Sequence, residues 1–403
     1  MNGASHPFLV PREQFLAWKY LCLAKRRGAY PGPRLEAKQH FFFWARNALY
    51  HALGMLDVPR AARVLLPAYL CRAAVEPFVA YGLQCDFYET RRDCTPDLDE
   101  IEAKLHPDTR IVMTVHYFGF PQRIREFRAL CSRKNLLLFE DCAHVLQNET
   151  QKDALGSLGD ASIFSYRKFL PMFDGAALLF PGSLARRSLN NRMERSQFAF
   201  AAMKFLAGQA INSSSGLGNK VLLEGIAFAK TITRGKKRAQ EGKLRHERID
   251  ANSVSFDLTL VNQPITAPSS WILGHSNVPA IIDRRRENYR FLHQIFSNTP
   301  GITPLHAALP NEVCPLVYPL FIDDIADAHL LLRNAGIPAV SWGGVRPAGV
   351  SQREFPEANF LYENLVFLPI HQNLCNRQLK AVAEAVKTVR SRTRRAPSVF
   401  AVN

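Results

Sequence analysis

Three stretches of this chain hold side chains able to do chemistry. FEDCAH, residues 139–144, sets two carboxylates and a histidine directly after the apolar run LLLF. Acids in that position leave a strand at the carboxyl edge of its sheet, where one carboxylate can pair with a protonated heterocyclic nitrogen. Asp141 equally fits the cap of a following helix. SIFSYRKFLPMFDGAALLF, residues 162–180, places Ser165 and Lys168 three residues apart on a turn between two apolar strands. A lysine among apolar neighbours loses hydration, its pKa falls, and a neutral amine of that kind is what a Schiff base requires. Ser165 can donate to a phosphate, and Asp174-Gly175 suits a tight turn into the next strand; an ordinary loop lysine fits this stretch too. WARNALYHAL, residues 44–53, begins a helix whose free N-terminal amides make a natural anion site, with Arg46 adding a forked cation. An amphipathic helix with an exposed arginine reads the same way.

The elements that must position these groups follow from the apolar pattern. ARVLLPAY, LQCDFYE, RIVMTVHYFG, NLLLFEDCAH, ASIFSYRK and GAALLF are predicted strands. They run apolar without strict alternation, as strands do when both faces of a sheet are covered. LDEIEAKL and IREFRALCSRKN are predicted helices between them. Strand–helix alternation predicts an α/β fold with a largely parallel, doubly wound sheet, whose ligands gather at the carboxyl ends of the strands. Residues 1–37 read as an N-terminal arm and 38–265 as the large domain. Within the latter, 183–265 changes to a helical, basic region, with RSLNNRMERSQFAFAAMKFLAGQAIN helical, SSSGLGN a break and TRGKKRAQEGKLRHER strongly basic. Residues 266–393 form a smaller α/β domain built from the helix IIDRRRENYRFLHQIF, the strand CPLVYPLFI, the helix DAHLLLRNAG and the terminal helix NRQLKAVAEAVKTVR. The tail SRTRRAPSVFAVN, with 394–403 as its end, is expected to be disordered.

Bulk properties narrow the classes. The 403 residues carry 51 Lys and Arg against 35 Asp and Glu, a net charge of +16 that favours anionic partners without choosing among them. None of the eight cysteines has C-x-x-C spacing, which speaks against a zinc or redox pair and for a reducing cytosol without disulfides. No signal peptide or membrane-spanning run is evident, so a cytoplasmic protein is expected.

The order of motifs is more specific than any one of them: the helix start at Arg46, then PAYLC, HYFGFP, FEDCAH and the Ser165/Lys168 turn. In this order the chain resembles the DegT/DnrJ/EryC1/StrS sugar aminotransferases, which have the fold-type-I architecture and use pyridoxal 5'-phosphate. The likeness covers roughly 41–180 and returns at RRRENY and LPIHQNL. It implies that Lys168 carries the cofactor as a Schiff base, Asp141 pairs with the pyridinium nitrogen and His144 contacts the phenolic oxygen. It implies phosphate contacts for Ser165, Arg46 and Asn47. HYFGFP is expected to be structural. Where the family sets an aromatic over the cofactor ring this chain has Cys71, with Tyr69 the nearest aromatic; the glycine-rich turn after the lysine is reduced to Asp174-Gly175-Ala176, and the family's intersubunit asparagine segment has no counterpart. The resemblance further implies a homodimer and transfer of an amino group, with glutamate as donor, to the keto carbon of a nucleotide-linked sugar in polysaccharide or secondary-metabolite biosynthesis. No metal is implied.

Other readings stand beside this one. Dehydrating relatives carry a histidine in place of the lysine, against which Lys168 argues. A binder of nucleic acid or of an acidic membrane surface would use the basic run Arg234 to Arg248, which lacks interleaved aromatics and any helix-turn-helix or zinc-finger spacing, so no nucleic-acid partner is expected. FAFAAMKFLAGQAI fits a helix lying on a membrane, or one buried against a partner subunit, which is preferred. A relative that binds cofactor without turnover is the third.

Overall fold

The structure, a computed structural model, describes residues 10–11, 13–21, 39–147, 154–180, 196–213 and 256–393. The basic run from Arg234 to Arg248 and the tail from residue 394 lie outside these residues.

Seven strands form the large sheet: β1 (Gln39–Phe42), β2 (Arg63–Pro67), β3 (Gln84–Tyr88), β4 (Thr109–Val115), β5 (Leu137–Cys142), β6 (Ala161–Ser165) and β7 (Ala176–Leu179). Their order is β1-β7-β6-β5-β4-β2-β3. Pairing is parallel from β3 through β6, and β7 runs antiparallel to both β6 and β1. All six predicted strands of this region are present; β1 is an addition, too short at four residues to carry a period of its own. Helices α1 (Ala45–Met55), α2 (Arg72–Tyr81), α3 (Leu98–Ala103) and α4 (Ile124–Lys134) connect them. Local chemistry sets their ends. The Asp97 carboxylate accepts the N–H groups of Asp99 and Glu100 at the start of α3, while Gly82 (φ 104°) and Asn135 (φ 53°) end α2 and α4 in the left-handed conformation. β4 and β5 are buried almost throughout, each large apolar side chain contributing roughly 1.5–3 kcal/mol.

Beyond the large sheet lie α5 (Ser196–Ser213), α6 (Ala267–His275) and α7 (Val278–Phe296), then a three-stranded antiparallel sheet of β8 (Ile302–Pro304), β9 (Tyr318–Ile322) and β10 (Val366–Leu368) in the order β10-β9-β8. Helices α8 (Ala328–Asn334), α9 (Pro356–Asn364) and α10 (Asn376–Thr393) complete it. The strand predicted over CPLVYPLFI begins only at Tyr318, because Arg285 and Phe118 hold the Cys314–Leu316 segment instead. Helix α10 runs to Thr393, so Ser391 to Thr393 are helical rather than part of a disordered tail. One continuous apolar cluster joins both sheets, from Phe42 and Val64 to Tyr318, Leu368 and Val386. No described helix is long and apolar enough to cross a membrane.

One carboxylate ties the carboxyl ends of β4 and β5 to the segment that enters β6. Glu140 is fully buried and bonds His116 Nε2 at 2.9 Å; it also accepts the N–H groups of Gly156 (3.0 Å), Leu158 (2.9 Å) and Gly159. His116 Nδ1 in turn accepts the Gln122 N–H at 3.1 Å, so Nε2 carries the proton toward Glu140. The HYFGFP turn is structural as expected. Gly119 (φ 95°) sits where an added Cβ would come within 2.5 Å of the Cys314 carbonyl oxygen.

Burial raises the Glu140 pKa, but the hydrogen bonds from His116 and from the Gly156 and Gly159 amides outweigh it and hold the carboxyl below its ordinary value. A folded pKa below the unfolded one stabilises above the unfolded value, and that stabilisation is lost as pH falls through the folded one. Glu140→Gln is therefore expected to cost about 2–4 kcal/mol at neutral pH, read from denaturant midpoints. The gap between wild type and variant should close as pH falls below the ordinary carboxylate range; a constant gap across that window would remove the ionised carboxylate from this role.

Candidate functional site

Successive residues on a strand face opposite sides, and β5 uses this to divide its two acids. Glu140 turns into the network above, while Asp141 lines a cavity of about 410 Å³ at the carboxyl edge of the sheet. No helix follows Asp141; one carboxylate oxygen accepts the Ala143 N–H at 2.8 Å in a tight turn, so the helix-cap reading does not apply. Lys168 ends a short 3-10 turn (Tyr166–Lys168) after β6 and lines the same cavity, together with Ser165, Cys71 at the N-terminus of α2, and Ala45 and Arg46 at the N-terminus of α1. Five of the eight predicted site residues thus converge: Arg46, Cys71, Asp141, Ser165 and Lys168.

Burial governs the electrostatics. It lowers the Lys168 pKa against the opposing pull of Cys71 and Asp141, and it raises the Asp141 pKa against Lys168 and the Ala143 amide. Both groups are displaced toward their neutral forms, as two ionisable groups sharing a poorly hydrated space must be. The Cys71 thiol is likewise pushed up by burial and pulled back by Lys168. The N-cap of α1, Trp44, makes no side-chain hydrogen bond to the helix; its carbonyl takes the Asn47 N–H at 3.0 Å, which leaves the amides ahead of Asn47 to an incoming anion. The Arg46 guanidinium lies 4.1 Å from the Trp44 ring centroid and 3.8 Å from Glu76. Burial lowers its pKa and Glu76 opposes that.

Asn47, Tyr69 and His144 do not line the cavity. On α1, Arg46 and Leu49 share the cavity side, whereas Asn47 is turned a third of the way round and donates from Nδ2 to the Leu260 carbonyl at 2.7 Å. His51, one turn on, bonds the Val261 carbonyl. Tyr69 is fully buried in an aromatic group with Trp342 (4.9 Å), Tyr362 (4.8 Å) and Tyr117 (5.6 Å). His144 is stacked on Phe118 at 5.8 Å and accepts the Phe118 N–H on Nδ1 at 3.2 Å. Burial, then the Lys168 charge, hold it well below the ordinary imidazole range, so it is neutral with its proton on Nε2. The sequence reading missed Trp44, Arg167 and Phe173, which also line the cavity; the signal for Phe173 was the apolar FLPMF run directly after the lysine. Asp174 does not merely make a turn. Its buried carboxylate accepts the Thr266 N–H and hydroxyl, both at 2.7 Å, and the Ser269 hydroxyl, anchoring the start of α6. Gly175 supplies the turn itself at φ 128°.

His116, Glu140 and Cys142 present ligand-type atoms within 4.8 Å of one another. The His116 nitrogens and Glu140 oxygens are already committed to hydrogen bonds, and burial keeps the Cys142 thiol protonated, so this group is scaffold.

The fold is that of the fold-type-I aminotransferases. Residues 45–190 match the DegT/DnrJ/EryC1/StrS aminotransferase family. A dTDP-4-dehydro-2,3,6-trideoxy-D-glucose 4-aminotransferase of Saccharopolyspora spinosa is 22% identical over 345 residues, 84% of this chain and 80% of the relative. A GDP-perosamine synthase of Vibrio cholerae is 29% identical over 120 residues, 30% of this chain and 33% of its own length. The putative sugar aminotransferase Spr1654 of Streptococcus pneumoniae, in its PLP-form, superposes with a TM-score of 0.62 at 15% identity, covering 94% of this chain and 99% of that one.

The cavity fits pyridoxal phosphate. It offers a desolvated amine, a buried carboxylate on the neighbouring strand, and an uncapped helix N-terminus with a cation and a hydroxyl beside it. On mixing with pyridoxal phosphate, the wild-type chain should develop the visible absorption of an amine-linked cofactor, and Lys168→Ala should not. A variant that kept the band would move the linkage to another lysine.

Proposed function

We propose that this chain is a pyridoxal-phosphate-dependent aminotransferase that takes an amino group from an amino-acid donor, glutamate, and gives it to the keto carbon of a nucleotide-linked sugar. The observation that carries the reading is the meeting of Lys168 and Asp141 in one cavity at the ends of adjacent strands. When bound, the cofactor supplies the electron sink that makes a proton on the donor's α-carbon removable. The residues do the rest. Lys168 would hold the resting cofactor; once displaced by the donor, its amine, with a pKa lowered by burial, would take the proton from the donor's α-carbon and deliver it to the cofactor carbon that bears the nitrogen. Asp141 would hold a proton at the ring nitrogen of the bound cofactor. Burial alone would neutralise this carboxyl, and a cationic partner restores its charge. The α1 amides, Arg46 and Ser165 bind the phosphate.

The sugar half of the proposal rests on the relatives named above and on a net charge of +16, which suits a diphosphate-linked substrate. A homodimer is part of the same proposal.

The cofactor-loaded chain should lose its visible band on addition of L-glutamate, release 2-oxoglutarate, and regain the band when a dTDP-linked 4-keto sugar is added. Loading without any response to glutamate would instead mark a relative that binds cofactor and does not turn over. Asp141→Asn should still load but lose roughly a hundredfold or more in the glutamate half-reaction; near-normal turnover would remove Asp141 from its assigned role.

A further inference from the structure

Two sequence motifs remain without a task after the cavity is described: RRRENY on α7 and LPIHQNL after β10. In the fold they meet each other at the turn that carries Lys168.

Gln372, from the second motif, is 1% exposed and donates from Nε2 to the Phe169 carbonyl at 2.9 Å. Its Oε1 accepts from Arg285 Nε, also at 2.9 Å. The chemistry fixes the orientation of this amide: a guanidinium only donates and a carbonyl only accepts, so Gln372 must receive on one side and give on the other. The main chain of Gln372 is tied as well, its carbonyl accepting the Tyr20 hydroxyl at 2.6 Å. Arg285 is buried; it lies 4.9 Å from the Phe169 ring centroid and donates to the Leu316 and Pro315 carbonyls at 3.0 and 3.4 Å. Leu316 donates its N–H to the Phe118 carbonyl at 2.9 Å, and the Phe118 N–H is the one that holds His144. From the N-terminal side, Gln14 Nε2 reaches the Arg167 and Leu170 carbonyls of the same turn at 3.0 and 3.1 Å.

We propose that Gln372, oriented by Arg285, is a positioning residue for Lys168: its amide N–H group, bonded to the Phe169 carbonyl, fixes the backbone that aims the amine into the cavity. A 3-10 turn of three residues holds itself poorly, with i→i+3 bonds of inferior geometry and few of them. The Lys168 turn therefore takes its rigidity from outside, and a buried amide held on both sides supplies it. This rests on the proposed role of Lys168, but the clamp itself is a property of the protein without cofactor.

Gln372→Glu separates the two functions of the side chain. The carboxylate keeps Arg285, with an added charge pairing, but presents an acceptor to an acceptor at the Phe169 carbonyl. The variant should melt with the wild type, yet amide exchange over residues 166–170 of the cofactor-free chain should rise about tenfold, the effect of losing one buried hydrogen bond. Its affinity for pyridoxal phosphate should fall by a similar factor, and the pH midpoint of the visible band, which reports the Lys168 linkage, should shift. Unchanged exchange and an unchanged band midpoint in a folded Gln372→Glu protein would overturn the proposal. Should that variant fail to fold, Gln372→Met keeps the length, removes both hydrogen bonds and carries the same readouts with the same two outcomes. If the wild-type chain develops no Lys168-dependent band, the aminotransferase reading fails by itself, and exchange over 166–170 still judges the clamp.

Discussion

An amine and a carboxylate share a poorly hydrated cavity here, and each is driven toward its neutral form by the loss of water. Such a pair is costly to assemble, because desolvation of both groups opposes the attraction between them. The surrounding structure has to hold them in place with interactions made elsewhere. Glu140 makes most of these. One residue before Asp141, it faces the opposite side of β5 and gathers His116 from the end of β4 and three amides from the segment entering β6. The strand end presenting Asp141, and the segment leading into β6, are thus fixed by a carboxylate that does not line the cavity, and its own satisfaction is complete enough to keep its pKa low.

The second support comes from the small sheet. Gln372 and Arg285 reach the Lys168 turn from one side, while Arg285, through Leu316 and Phe118, reaches His144 on the other. Trp342 packs on Tyr69, Phe118 and His144 together and closes the same layer. Three aromatic positions near the motifs are therefore spent on joining the two sheets. That is why Tyr69, the aromatic nearest in sequence to the position where the family sets one over the cofactor ring, is found in the core.

How much of this could be read from the sequence depended on the length scale of the signal. β2 to β7 were legible because a strand buried on both faces must be an unbroken apolar run, and Lys168 and Asp141 were legible because each follows such a run. β1, β8 and β10, of three or four residues, carry no pattern that would separate them from a loop. Asn47 is not among the cavity residues because its side-chain amide is spent on the Leu260 carbonyl. His144 and Gln372 show the remaining limit. Their residue types were visible, but their partners Phe118, Phe169 and Arg285 lie between 26 and 203 positions away in sequence.

The anion end of the cavity completes the electrostatic argument. Arg46 and Arg72 both approach a single Glu76, at 3.8 and 3.1 Å. Two guanidinium groups on one carboxylate leave one positive charge in excess, and the shorter contact assigns Glu76 mainly to Arg72. Arg46 is the less well neutralised of the two, is steadied over Trp44, and stands beside amides that no side chain caps. Were it fully paired, an arriving phosphate would have to break a salt bridge; were it unpaired and free, holding it in the cavity would cost side-chain entropy that binding must then overcome. The shared carboxylate and the indole face keep the cation in position while leaving most of its charge for an anion, as a site built around a small N-capping hydroxyl would not.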